Sequence, residues 1–497
     1  MKPPLAFRLL YSLRSTGGAL LRHRSRFLRC LFWALPFLLS FYARPSPVPL
    51  GAYQKLNEFI VAQFNKNELG KVYASGSAHY TGQVERGYFN YRWEAIKAKT
   101  GAIKSYSLAE DLGPVKYFEW VGEWATARFE LTALSATKFS EVHLTVIEHS
   151  KNPPVLTDNP LKTAVDSLVQ QAVVHFMRGP NRTGLSVGVL CAGRRQVYNY
   201  RAASDPLEPL PTGNTIYEIG SVTKTFTGIL LAQAVLDKKV TLNDDVRLYL
   251  NEPYPNLAYQ GQPIRLVHLA NQSSGLPLQL PTFAPDRPLA YNVGLDQAYT
   301  PRQLLIDLRE VRLDTFPGAQ ASYSNAAFRV LGLVLERVYQ LSYEELVSKY
   351  ITAPAGMRST GVQLTVAEQR RFAKPYAPDG QASQYALMGM PAPGGLRSTA
   401  NDLLRYVQYN VAANQAPTLS QQPTITSSAG GVGLGWQVFR LSPANGQVSH
   451  GGGTPGFSSF CLLFPQKKTG VVGLSNQASL EGHLEDLCRD IANRLDK

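Results

Sequence analysis

From about Leu161 to Lys497 the strand-like runs lie at the two ends and the helix-like runs in the middle. Apolar and β-branched residues predict a strand pair at Leu185–Cys191 and Arg195–Tyr200, then further strands at Gly435–Arg440, Ser458–Phe464 and Gly470–Leu474. Amphipathic periodicity predicts helices at Leu161–Phe176 and Leu480–Leu495. This order has no βαβ rhythm. The expectation is an α+β layered domain whose sheet joins both ends of the segment around a helical lobe.

Two proline-bearing stretches divide the chain. Pro45–Leu50 is a first linker, and Lys151-Asn152-Pro153-Pro154 with the polar residues after it a second. Between them, residues 51–150 form a small α+β unit. Leu56, Phe59, Ile60 and Phe64 recur at helical spacing, and strand-like alternation follows near Val115–Trp120, Ala125–Leu131 and Val142–Ile147. One helix followed by a curved sheet resembles the NTF2-like domains attached to secreted hydrolases. The aromatic residues Tyr117, Phe118, Trp120 and Trp124 are expected to be core.

The formal charge of +14 invites a nucleic-acid reading, but eight of those charges lie in residues 1–44, which hold no acid, leaving about +6 for the rest. No nucleic-acid-binding signature accompanies them, so no nucleic-acid partner is expected. The arginines precede an uncharged apolar run, Cys30 to Ala43, of a length that fits a signal-peptide core better than a full membrane span. Residues 1–44 are thus expected to be a signal peptide or an N-terminal membrane anchor acting through residues 30–43. Either places the rest of the chain in the periplasm or outside the cell. Cys191, Cys461 and Cys488 follow Cys30, an odd number that predicts at least one free buried thiol.

Three motifs carry chemistry. The first is Gly220-Ser221-Val222-Thr223-Lys224, where Val222, Phe226, Ile229 and Leu230 start a helix at or near Ser221. Lys224 lies almost one turn on and can reach back to the Ser221 hydroxyl. A serine needs such a base, and backbone donors for its oxyanion, to act as a nucleophile. Ser135-Ala136-Thr137-Lys138 has the same spacing but no partner motifs, and is read as surface. The second motif is Tyr323-Ser324-Asn325 before an apolar helix; a tyrosine beside a buried lysine can serve as a general base. The third is His450-Gly451-Gly452-Gly453-Thr454, whose glycines let backbone approach a ligand closely.

In this order the motifs resemble those of the class C β-lactamase, DD-peptidase and esterase family of serine hydrolases, over roughly residues 161–497. Thr241–Asp245, Ile264–Leu269 through Ser273–Gln279, Gly394–Thr399 with Asn401–Leu403, and Gly433–Trp436 are family-like too. The resemblance implies a β-lactamase/transpeptidase-like domain: an antiparallel sheet flanked by helices, plus a helical lobe. It implies Ser221 as the acylated nucleophile, with Lys224 and Tyr323 as the base pair and Lys224 keeping Tyr323 acidic. Asn325 would orient Lys224 or the substrate amide, and Gln279 would contact the acyl side chain. His450 and Gly452 would line the cleft, and the backbone N–H groups of Ser221 and Gly453 would bind the oxyanion.

One departure bears on substrate. Where class C β-lactamases carry Lys-Thr-Gly, this chain has His450-Gly451-Gly452. A permanent cation and a hydroxyl are replaced by a group of pKa near 6.5 and a glycine. Both losses weaken recognition of a substrate carboxylate, so an esterase or D-amino-acid peptidase is expected ahead of a true β-lactamase. The rival from another class is a non-catalytic protein on this fold that binds a cell-wall peptide. The partner is a small molecule or peptide with an ester, amide or lactam carbonyl. No cofactor and no metal are expected, since the histidines show no ligand spacing. His268, on an apolar helix, reads as a core residue, and Gly430–Gly435 leads into strand residues rather than the helix a dinucleotide loop needs.

Overall fold

The computed structural model describes residues 48–122, 126–147, 155–177, 181–202, 208–283, 286–386, 388–427, 430–440 and 446–495. The expectations for residues 1–44, the Lys151–Pro154 linker and Trp124 lie outside the described residues. No helix among the described residues is long and apolar enough to cross a membrane.

The first unit opens with four helices rather than one: α1 (Leu50–Asn65), α2 (Leu69–Ala74), α3 (Ala78–Gln83) and α4 (Arg86–Thr100). An antiparallel sheet follows in the order β1 (Ile103–Leu112), β2 (Val115–Gly122), β3 (Thr126–Ala133) and β4 (Phe139–Ile147). Leu56, Ile60 and Phe64 are buried, but Phe59, expected with them, is 37 % exposed on the outer face of α1. The core is aromatic. Trp120 is fully buried, its ring meets Phe64, Trp93 and Phe129, and its indole N–H donates to Asn57 Oδ1 at 2.8 Å. Tyr117 lies on the other face of β2, under the Arg128 guanidinium.

The larger unit is built on a nine-stranded sheet. Its strands are β5 (Val155–Thr157), β6 (Gly184–Cys191), β7 (Arg194–Ala202), β12 (Ile425–Ser427), β13 (Gly430–Val432), β14 (Gln437–Arg440), β15 (Gly446–Gly453), β16 (Ser458–Phe464) and β17 (Thr469–Ser475). They are ordered β12-β13-β14-β15-β16-β17-β6-β7-β5, antiparallel at every junction. The β17–β6 ladder, from Gly470 opposite Leu190 to Ser475 opposite Leu185, joins the two ends of the segment. Outside the sheet are a hairpin of β9 (Ala258–Tyr259) and β10 (Gln262–Pro263), and a pair of β8 (Ile216–Glu218) and β11 (Arg397–Thr399).

Helices cover both faces. On one, α5 (Ala164–Met177) and a C-terminal helix (Glu481–Leu495) bury Val169, Val173, Leu484, Cys488 and Ile491 against Val187, Val189, Leu462 and Val471. On the other, the main core packs the sheet against α6 (Thr223–Leu236), α7 (Asn325–Tyr339) and α8 (Ala400–Val411). Among the described residues Cys191, Cys461 and Cys488 are all free thiols.

The buried helix α6 runs hard against the chain between β13 and β14. A Cβ on Gly228 would sit 1.9 Å from the Leu434 carbonyl oxygen. Helix propensity alone predicts that Gly228→Ala gains about 1 kcal/mol. The backbone clash predicts the opposite sign, a loss of about 1–3 kcal/mol. A denaturation midpoint below that of the wild type is the expected outcome, and a rise would show that Leu434 yields.

Candidate active site

Ser221 sits in a single 3₁₀ turn, Gly220–Val222, that runs directly into α6. Gly220 adopts φ +46°, and a Cβ there would lie 2.7 Å from the Gly453 amide nitrogen, so only glycine lets the turn meet β15. From below, Ser459 on β16 donates its hydroxyl to the Ile219 carbonyl at 2.8 Å. The Ser221 turn and the glycine strand are thus held against each other by backbone contact.

Lys224, the second residue of α6, is fully buried. Its Nζ lies 3.0 Å from Ser221 Oγ, 2.6 Å from Asn325 Oδ1 and 2.7 Å from the Pro393 carbonyl oxygen. Burial, reinforced by the Arg329 guanidinium, pushes its pKa well below the ordinary lysine value. Asn325 Oδ1 and the Pro393 carbonyl oxygen can only accept, so two N–H groups of Nζ point to them and its remaining position faces the Ser221 hydroxyl.

Tyr323 and Asn325 are fixed by the start of α7. Ser324 caps the helix, accepting from Ala327 N–H at 3.0 Å, and donates its hydroxyl to the Pro277 carbonyl at 2.7 Å. The Ser324 and Asn325 amides donate to Gln272 Oε1 and the Leu278 carbonyl. Asn325 Nδ2 donates to Gln279 Oε1 at 2.9 Å, which brings Gln279 to the site through Asn325. The Tyr323 hydroxyl donates to Ser221 Oγ at 2.6 Å, while 40 % of the residue stays exposed along the cleft.

The expectation that Lys224 holds Tyr323 toward the phenolate differs from what the surroundings give. Lys224 Nζ stands 4.7 Å from the ring centroid, over the face rather than in a bond to the oxygen. Burial of the hydroxyl pushes the phenol up, and the bond to Ser221 only partly offsets this. Tyr323 therefore rests as the neutral phenol, beside a lysine whose pKa burial lowers.

On the opposite wall, Gly453 is exposed at the end of β15, and a Cβ on Gly452 would lie 2.1 Å from the Ile219 carbonyl oxygen and 3.0 Å from Ser221 N. His450 is buried, its ring centroid 6.4 Å from that of Tyr323. Its Nδ1 is 2.6 Å from the Gly451 carbonyl oxygen, so Nδ1 carries the proton and neutral Nε2 is an acceptor. Burial, with Lys224 nearby, lowers its pKa to about 4.

Several residues at the site gave little sequence signal. Pro393 contributes a backbone carbonyl, which no motif marks. Arg329, fully buried in α7 and ion-paired to Asp296, stands in the sequence as a cation among the apolar residues of the helix. Glu218, three residues before Ser221, pairs in register with Arg397 across β8–β11, and burial raises its carboxyl to about 7. By contrast Ser135–Lys138 lies at the turn between β3 and β4, where Lys138 donates to the Ala74 carbonyl. The His268 ring accepts from its own helix start at Arg265 N–H. Among the described residues no group of three or more metal-ligating side chains converges.

Residues 169–493 match the family model described as Beta-lactamase. A beta-lactamase of Yersinia enterocolitica is 26 % identical over 394 residues, 71 % of this chain and 91 % of that one. The D-alanyl-D-alanine-carboxypeptidase/endopeptidase AmpH of Escherichia coli K12 is 28 % identical over 325 residues, 61 % of this chain and 82 % of its own length. The crystal structure of a beta-lactamase/D-alanine carboxypeptidase from Yersinia pestis shares the fold, with a TM-score of 0.59, 23 % identity and coverage of 67 % of this chain and 99 % of that one. The family match begins after the first unit, so the NTF2-like resemblance of residues 51–150 stays an expectation.

The lowered pKa of His450 sets a sign for stability against pH. Between pH 6.5 and about 4 the unfolded chain binds a proton here that the folded chain does not. The contribution is complete above pH 6.5 and is lost as pH falls toward 4. His450→Gln, which cannot take up that proton, is expected to show a shallower drop in melting temperature from pH 7 to 4.5 than the wild type. Equal slopes would mean that His450 titrates normally.

Proposed function

The chain belongs to the beta-lactamase family of serine hydrolases, and from that premise we propose that it is an exported acyl hydrolase whose acyl-enzyme forms on Ser221. The observation that carries the reading is the hydrogen-bonded group of Ser221, Lys224 and Tyr323 facing the exposed Gly453 backbone. Export rests on the arginine-rich, then apolar, residues 1–44.

In the proposed cycle, neutral Lys224 takes the Ser221 proton as Oγ attacks the substrate carbonyl. The Ser221 and Gly453 amides hold the oxyanion. As the tetrahedral intermediate collapses, the Tyr323 hydroxyl protonates the leaving group. The tyrosinate formed beside the new lysine ammonium then takes a proton from the attacking water. Ser221 recovers its own proton from Lys224, and the starting state returns. Burial suits Lys224 to the first step by lowering its pKa, and Asn325 with Pro393 keeps its lone pair aimed at Ser221.

For substrate we propose an ester or an amide of a D-amino acid without a free carboxylate beside the scissile bond, ahead of a β-lactam. His450, neutral and buried, stands where the Lys-Thr-Gly motif places a permanent cation, and it offers a single acceptor.

Lys224→Ala and Tyr323→Phe are each expected to lower kcat by at least ~10²-fold, with Ser221→Ala unlabelled by a fluorescent phosphonate that labels wild type. Normal rates in either variant would remove that residue from the cycle. Absence of labelling in folded wild type would favour a non-catalytic binding role. Turnover of a short aryl ester and of a D-Ala-D-Ala amide is expected to exceed that of nitrocefin and of the free-acid peptide. Fast nitrocefin turnover would reverse the substrate preference.

A further inference from the structure

A cavity of about 90 Å³ lies where the first unit meets the hydrolase unit, apart from the Ser221 group. Tyr91, Arg92 and Ile96 of α4 and Leu144–Val146 of β4 line one side. The other side comes from Asn181, Arg182, Asp379, and the chain Gln477–Leu480 with His483. The space suits a molecule of a few heavy atoms.

Its polar lining is unsatisfied in a particular way. Arg182 is only 8 % exposed, yet among the described residues its one hydrogen bond is from Nε to the Phe176 carbonyl, with the guanidinium stacked on the Phe176 ring. No carboxylate pairs with it among the described residues, nor with Arg92, whose guanidinium lies over Tyr88. A buried unpaired cation is costly unless an anion joins it. Asp379 lines the same cavity and among the described residues is likewise outside any ion pair, its Oδ1 accepting only from the Gln381 amide. Gln477 is 1 % exposed and spends its Nε2 on the Pro378 carbonyl, leaving Oε1 buried without a donor. Asn181 Nδ2 is a buried donor without an acceptor.

Two guanidiniums, one carboxylate and an orphaned amide oxygen thus share one small cavity without neutralising one another. A plain anion would satisfy the arginines and leave Asp379 and Gln477 unmet. A plain cation would do the reverse. We propose that this cavity is a binding site for a small free α-amino acid, the carboxylate held by Arg92 and Arg182 and the ammonium by Asp379 and Gln477 Oε1. The volume restricts the side chain to the size of glycine or alanine. Nothing in the proposal depends on turnover at Ser221.

The test is isothermal titration of the full chain with glycine, D-alanine and L-alanine, beside acetate and methylammonium. At least one of the amino acids is expected to bind, with acetate and methylammonium each at least ten-fold weaker. Arg92→Ala and Asp379→Asn should each weaken that binding ten-fold or more, while Ser221→Ala leaves it intact. Asp379 is in a partly exposed loop, so Asp379→Asn serves if Arg92→Ala fails to fold. The proposal is overturned if no amino acid binds, if acetate binds as well as alanine, if binding survives Asp379→Asn, or if it is lost in Ser221→Ala.

Discussion

Everything at the catalytic end of this molecule is organised around one buried amine. Lys224 has no contact with solvent, and its three polar neighbours come from three distant parts of the chain: the turn before α6, the start of α7 and the segment before β11. A polar group so deeply buried must have its partners in place or pay a large desolvation cost. That requirement makes Lys224 a fold-specifying residue as well as a chemical one. The segments that meet at its nitrogen are the ones that shape the cleft.

The same burial reaches beyond the lysine. Arg329, paired with Asp296 in the helical lobe, adds positive potential that disfavours a second cation nearby. His450, buried within the influence of Lys224, is held neutral for the same reason. A lysine in place of His450 would put a second amine beside the buried Lys224. An imidazole at this position is thus consistent with the electrostatics of the rest of the pocket.

Much of this was legible in the sequence because the chemistry-bearing residues lie in short motifs with fixed spacing. Ser221 and Lys224 are one turn apart on a helix whose apolar face is unambiguous, and Tyr323 and Asn325 announce the helix they cap. The sheet joining both ends followed from the strand-like runs around residues 190 and 470. What was missed has physical causes. β15 ends in three glycines, which carry no side-chain periodicity, so it is absent from the strands expected from alternation. β1 is exposed along nearly its whole length and shows no alternation of burial. The short helices α2 and α3 span six residues each, too few to show a period. The protonation state of the Lys224–Tyr323 pair depends on distances and burial that no spacing encodes.

The pairing of β17 with β6 also governs when this protein can become itself. The strands in contact are separated by some 280 residues of chain, and β6 has only β7 as an earlier neighbour on its other side. Until the final strand emerges from the ribosome, the centre of the sheet lacks its middle rung, and the early strands hold an open apolar edge. Contacts this remote in sequence are slow to form. A chain built in this way remains unfinished until its last strand is made, so its apolar edge must stay out of other pairings for nearly the whole of synthesis.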